Sequence, residues 1–305
     1  GRVEIAAISG TSAGAMNAAA LADGLMAGGR QEASARLTRL WWAISQMAGV
    51  GPWLRGPWAL ATGSWDLESS PVYWAFEGMR RVLSPYQFNP FNVNPVRDVL
   101  EASVDFERVR SCDHVQLFVS ATNVRTGRVR VFDRSEITVD AIMASAALPH
   151  VYQAVEIDGE AYWDGGFMGN PSLFPLIYKN DCTDLAIVQI NPIERDNVPT
   201  TPSEIINRMN EISFNSSLQR ELRAISFVTK LIDNGELDSA RHKRMYVHRI
   251  PPPSEMVEIG ASSKFNAEWA FLEYLHDLGR NAAEAWLDET YSAIGQHSTI
   301  NFDIA

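Results

Sequence analysis

Apolar residues gather in short runs of strand length at residues 3–8, 115–122, 151–157, 185–190 and 245–250, with shorter ones at 129–132 and 161–163. "DGE" (158–160) separates two of these runs and reads as a hairpin turn. Helical spacing fills much of the chain between them. It covers residues 31–47 and recurs at Ile205, Met209, Ile212, Leu218, Leu222, Ile225, Val228 and Ile232, with a candidate interruption at "FNSS" (214–217). A last amphipathic helix is expected over 264–294, around Trp269, Leu272, Leu275 and Leu278. Strands alternating with helices predict an α/β layer fold with a largely parallel sheet.

Local signals fix some helix starts. Asn94 before Pro95 reads as an N-cap followed by proline at the first helical position. "TPSE" (201–204) is a capping box, Thr201 answering Glu204. Residues 48–74 have no period and are rich in Gly, Pro and Trp; six of the nine tryptophans fall between Trp41 and Trp74. "PPPSE" (251–255) reads as a linker, so the expected organisation is an α/β domain over 1–250 and a helical C-terminal extension, packed on it, over 251–305. No internal repeat is present.

The chain has 305 residues, 46% of them hydrophobic, enough for a sizeable core. Its formal net charge of −11 and lack of a basic block argue against a nucleic-acid partner and against attraction to anionic membranes. Cys112 and Cys182 stand far apart in no metal-ligand spacing and read as two reduced thiols. No run of 18 apolar residues marks a spanning helix. The expected location is cytoplasmic or peripheral to a membrane.

Chemistry enters at residues 6–25, "AAISGTSAGAMNAAALADGL". A strand, then Gly-Thr-Ser-Ala-Gly, then an alanine-rich helix has the form of a G-x-S-x-G nucleophile elbow. Ser12 sits on the sharp turn. Gly10 and Gly14 are expected to be small because strand and helix leave no room beside them, and Ala13 supplies a backbone N–H at the helix N-terminus.

A serine nucleophile needs a base. His114, His150, His242, His248, His276 and His297 lack the Gly or Asp texture of a catalytic loop, and each reads as a surface or helix residue. His150, in a turn after Pro149, is the best placed of them. "YWDGGFMGNPS" (162–172) is the stronger candidate: Asp164 leaves a strand end, and Gly165 and Gly166 permit close backbone approach. A plain Asp-Gly-Gly turn is the rival reading.

Taken together, "GTSAGA" (10–15), "SATNVRTGR" (120–128), "ASAALPHVY" (144–152) and "DGGFMGNP" (164–171) resemble the patatin-like phospholipase family over roughly the first 190 residues. The resemblance implies a three-layer α/β/α hydrolase fold and a Ser–Asp dyad, with Ser12 as nucleophile and Asp164 as general base. It also implies hydrolysis of lipid acyl esters through an acyl-enzyme, with no metal or other cofactor. Asn123 stands where the family usually carries Asp. The family's glycine-rich oxyanion loop, G-G-G-x-[RK]-G, has no match; it lies before Gly1 or the oxyanion hole lacks it.

Two other readings stay open. One is an α/β-hydrolase triad drawing on His242, His248, His276 or His297; the other is a non-catalytic lipid-binding or interaction module on the same fold. The partner expected is a lipid or other acyl-ester substrate, with peripheral contact to a lipid surface; oligomeric state is left open. Trp53 and Trp58, in "GPWLRGPW" (51–58), are candidates with His150 for a substrate groove or lid.

Overall fold

The computed structural model describes residues 3–47 and 54–302, apart from the side chains of Ser203, Val257, Glu258 and Ala261. Contacts divide the chain into two units, Gly1–Pro171 with Gly260–Leu272, and Ser172–Ile259 with Glu273–Ala305.

The first unit is built on a five-stranded sheet of β1 (Ala7–Gly10), β2 (Gln116–Asn123), β3 (Val129–Asp133), β4 (Val155–Ile157) and β5 (Glu160–Asp164). β1 pairs with β2 in parallel, while β2–β3, β2–β5 and β4–β5 are antiparallel. The sheet is therefore mixed rather than mostly parallel. Short connections are the reason: β2 reaches β3 within five residues, and β4 reaches β5 through Asp158 and Gly159 alone, both at positive φ. Only an antiparallel partner can be reached so quickly.

Register decides what comes together. Phe118 pairs with both Ser9 and Asp133, and Ala121 with both Arg130 and Asp164, so β3 takes one edge of β2 while β1 and β5 share the other. β1 runs up that edge and ends with Gly10 opposite Val119. β5 runs down the same edge and ends with Asp164 opposite Ala121. The two strand ends face each other across the position of Ser120.

Ala13–Ser45 is helical except at Gly28 and Gly29, where φ/ψ leave the helix (−172°/22° and 71°/−155°). We number the span α1. The chain reverses there: Trp41 Nε1 donates to Asn17 Oδ1 (2.7 Å), Arg36 pairs with Asp23, and a Cβ on Gly24 would stand 2.3 Å from Ala33 Cα. The two arms pack as antiparallel helices. Asp23, fully buried, is balanced by Arg36 and by Arg108 (2.8 Å).

The irregular stretch contains α2 (Pro57–Thr62), α3 (Pro71–Val82) and α4 (Pro85–Phe88), each with proline in its first turn. Asn94 caps α5 (Pro95–Ser103) by accepting from Val96 N–H (3.2 Å). Asp105 caps α6 (Phe106–Arg110), and Thr138 caps α7 (Val139–Ser145). The core joins Ala15, Leu40, Leu100, Val109, Leu117, Val119, Ile137 and Ile142. Each large aliphatic among them contributes roughly 1.5–3 kcal/mol by burial.

The second unit pairs β6 (Asp184–Val188) with β7 (Tyr246–Ile250) in parallel. It also holds α8 (Phe174–Tyr178), α9 (Pro202–Asp233) and α10 (Ser254–Glu258), with most of α11 (Trp269–Thr290). The capping box of Thr201 and Glu204 opens α9. α9 runs unbroken through 214–217, because Asn215 uses its side chain on Pro192 C=O (3.0 Å) instead of breaking the helix. Only the second half of its apolar stripe enters the core: Leu218, Leu222 and Ile225 are buried with Leu185, Ile187 and Val247, whereas Ile205, Met209 and Ile212 are exposed.

His248 lies in the expected strand but is buried there rather than at the surface, hydrogen-bonded through Nε2 to Asp184 Oδ1 (3.1 Å) and through Nδ1 to Thr299 Oγ1 (3.2 Å). With Val247 N–H donating to Ser298 Oγ (3.0 Å), it ties residues 298–299 to β7.

Candidate active site

The chain leaves β1 at Gly10 and enters α1 at Ala13, with Ser12 at the corner. Its φ/ψ of 56°/−123° is sparsely populated for any side-chain-bearing residue, at a cost of about 1–3 kcal/mol. Serine is a favoured N-cap, yet the Ser12 hydroxyl makes no capping bond and is left for other use.

The elbow's two glycines differ. A Cβ on Gly10 would lie 2.6 Å from Gly14 C=O, because the first turn of the helix folds back over the strand end. Gly14 itself is exposed, and a Cβ added there would meet nothing within 4 Å. The expected crowding at Gly14 is thus corrected: it faces outward from the first turn, and Gly10 alone is sterically obliged to be small.

Backbone donors of this turn are mostly spent. Gly14 N–H donates to Thr11 C=O (2.9 Å), and Ala15 and Met16 N–H both reach Ser12 C=O (3.0 and 3.3 Å). Ser12 N–H donates to Ser145 Oγ (2.9 Å). Ala13 N–H, beside the serine, has no acceptor among the described residues. It is the free amide at the positive end of the helix.

Asp164 ends β5 and is fully buried. Its Oδ1 accepts from Gly166 N–H (2.7 Å), while Oδ2 is buried with no hydrogen-bond partner among the described residues. Burial pushes the carboxyl up to about 6 from the ordinary 3.8; Gly166 N–H and, least, the Ser12 hydroxyl pull it back down. Ser12 is therefore near enough to favour the carboxylate, but no closed hydrogen bond joins them. A buried carboxylate with one orphaned oxygen, near a Ser12 hydroxyl that makes no capping bond, is a polar imbalance that a purely structural turn does not explain.

Other hydroxyls hold the loops. Thr122 Oγ1 donates to Asp164 C=O (2.8 Å), and Thr11 Oγ1 donates to Gly169 C=O (2.7 Å), stitching the elbow to the loop after Asp164. Gly165 passes so close to β2 that a Cβ would stand 2.0 Å from Ser120 C=O. Gly166 is buried beside it and supplies the N–H that Asp164 accepts. Ser145, Thr11 and Thr122 lie inside the quoted motifs, but nothing in their local pattern marks a contact more than 40 residues away along the chain.

The remaining candidates are placed elsewhere or engaged. His150 is exposed in its turn. Both ring nitrogens of His248 are engaged, His276 lies beside Asp277 (3.0 Å), and His242 hydrogen-bonds with Asp238 C=O (3.2 Å). Asn123 accepts from Arg125 and Thr126 N–H (3.0 and 2.9 Å), so its amide shapes the β2–β3 turn. Trp53 lies outside the described residues. Trp58 is 74% exposed. Trp65, by contrast, is anchored: it stacks under Arg55 (4.5 Å) and beside Phe271 (5.2 Å). Cys112 is buried and Cys182 exposed, and they are not bonded to each other. Among the described residues no three His, Cys, Asp or Glu side chains are grouped to hold a metal ion, and no helix is long and apolar enough to cross a membrane.

Compared with known families, residues 2–177 match the model of the patatin-like phospholipases. No curated protein matches the chain.

Proposed function

Since this chain belongs to the patatin-like phospholipase family, a family of lipid acyl hydrolases, we propose that it is a carboxylic-ester hydrolase in which Ser12 is the nucleophile and Asp164 the general base. The observation that carries this reading is the pairing of an uncapped, backbone-strained Ser12 with the buried, unpartnered Oδ2 of Asp164.

In the first step Asp164 takes the Ser12 proton while Oγ attacks the ester carbonyl. Negative charge moves to the carbonyl oxygen, where Ala13 N–H and the helix N-terminus stabilise it. The tetrahedral intermediate collapses, the C–O bond breaks, and the alcohol leaves with the proton from Asp164. Asp164 then deprotonates a water, which attacks the acyl-enzyme; Oγ departs as the fatty acid forms and recovers its proton. A carboxylate is a weak base for a serine. Burial supports the step by raising the Asp164 carboxyl to about 6, closer to working pH.

The dyad is favoured over a triad because neither Ser12 nor Asp164 has a histidine among its hydrogen-bond partners in the described residues. The substrate we propose is a lipid acyl ester presented at a lipid surface. Trp58, Tyr86 and Phe91 are 74%, 58% and 89% exposed, and residues 82–96 carry no charged side chain. Exposed aromatics on an uncharged segment suit a zwitterionic or neutral interface better than an anionic one. That segment leans on the approach to β4, with Gln153 Nε2 donating to Asn89 C=O (2.8 Å) and Ala154 N–H to Tyr86 OH (3.3 Å).

Labelling with a fluorophosphonate tests the reading. The native chain labels and Ser12→Ala does not. A folded Ser12→Ala protein that still labels or turns over p-nitrophenyl butyrate overturns it.

A further inference from the structure

Ser145 is remote from Ser12 in sequence and touches neither the carboxylate nor the open amide of the site. It ends α7, is fully buried, and follows four other buried residues, Ala141–Ala144. That helix is fixed at its other end by Thr138, whose hydroxyl accepts from Ala141 N–H (3.2 Å). The Ser145 hydroxyl thus stands on a rigid, packed base.

Its partner is one of the two elbow amides that the elbow itself does not satisfy, the other being the open Ala13 N–H. Gly14, Ala15 and Met16 N–H all find carbonyls within residues 11–12, whereas Ser12 N–H leaves the turn and meets Ser145 Oγ at 2.9 Å. A Ser12 with φ of 56° relaxes toward ordinary backbone unless something holds it. The buried Ser145 hydroxyl accepting its N–H does so, because release would cost Ser12 N–H a hydrogen bond that the turn does not replace. The bond has a second effect. It removes Ser12 N–H from the donors that could face a developing oxyanion, and leaves Ala13 N–H to serve.

We propose that Ser145 is a positioning residue for the nucleophile: by accepting the Ser12 amide proton it locks the strained elbow, aims Oγ at Asp164 and assigns the oxyanion to Ala13 N–H. The proposal rests on the Ser12–Asp164 reading above. Since Ser145 contacts the nucleophile's backbone and not the substrate, its loss acts on the chemical step and spares binding. A misplacement on the order of 1 Å at a reacting atom is enough to cost about 100-fold.

The test uses the full chain with Ser145→Ala and Ser145→Cys, measured for p-nitrophenyl butyrate turnover, fluorophosphonate labelling rate and thermal midpoint. Ser145→Ala is expected to lower kcat and the labelling rate together by about 30- to 100-fold, with KM within about twofold. Ser145→Cys, which keeps a weak acceptor, falls between it and the native protein. The midpoint of the acid limb of kcat/KM stays where it is, because Asp164 is not touched. A folded Ser145→Ala with kcat within twofold of native overturns the proposal, as does an equal loss in Ser145→Cys and Ser145→Ala. If Ser145→Ala does not fold, Ser145→Cys decides: native kcat overturns the proposal, and a lowered kcat at unchanged KM supports it. Turnover surviving in Ser12→Ala would instead remove the dyad itself, a result distinguishable from an intact Ser145→Ala in a protein that Ser12→Ala silences.

Discussion

Gly165 lies against Ser120 so closely that a methyl group on it would stand 2.0 Å from the Ser120 carbonyl oxygen. This contact is made by backbone, which cannot swing aside as a flexible side chain would. It occurs where β1 and β5 end head to head on one edge of β2, and it sets how near Asp164 comes to the elbow.

Gly165→Ala is expected to destabilise the protein by about 2–3 kcal/mol or more through overpacking, and to abolish hydrolysis. Gly14→Ala, with nothing within 4 Å of its Cβ, is expected to be neutral or to stabilise α1 by up to about 1 kcal/mol. Chemical denaturation of the two variants measures the contrast, and equal effects would contradict this account of the elbow.

Asp164→Asn keeps the acceptor for Gly166 N–H but cannot take a proton. Its kcat/KM is expected to drop by about a thousandfold or more, close to Ser12→Ala. Alanine at each of the six histidines is expected to leave most activity. A folded histidine variant as inactive as Asp164→Asn would establish a triad instead; His150 is the first to test.

The pH dependence follows from a raised carboxyl. As a base, Asp164 works only when ionised, so kcat/KM is expected to rise with pH and level off above a midpoint of about 6. Stability runs the opposite way. The folded value lies above the unfolded 3.8, so the cost of a buried charge is fully present above pH 6 and disappears below about pH 4. Its size is about 3 kcal/mol, and Asp164→Asn is expected to raise the thermal midpoint at pH 8 but not at pH 4. A midpoint for activity near 4 would show the carboxyl to be solvated.

Trp58→Ala and Phe91→Ala remove exposed rings and are expected to change stability by no more than about 0.5 kcal/mol. If these rings meet lipid, turnover of long-chain esters in zwitterionic vesicles falls severalfold while p-nitrophenyl butyrate hydrolysis is unchanged. Parallel loss on both substrates, with a lower thermal midpoint, would return the two residues to a packing role.

Much of this protein is local and was therefore legible in its sequence. The hairpin at Asp158–Gly159, the caps at Asn94 and Thr201, and the strand–Ser–helix corner at Ser12 are each dictated within a few residues by backbone sterics or a short-range hydrogen bond. Asp164 could be singled out because a strand end followed by two glycines is also a local pattern. What the pattern could not supply was pairing. The sharing of one β2 edge by β1 and β5, the reversal at Gly28–Gly29 and the burial of His248 depend on which distant segments fill the same space. Ser145 shows the limit most plainly: a serine in an alanine-rich helix is ordinary until the packed core sets its hydroxyl 2.9 Å from the Ser12 amide, because hydrogen bonds between remote segments are decided by tertiary packing and leave no periodic mark on the chain.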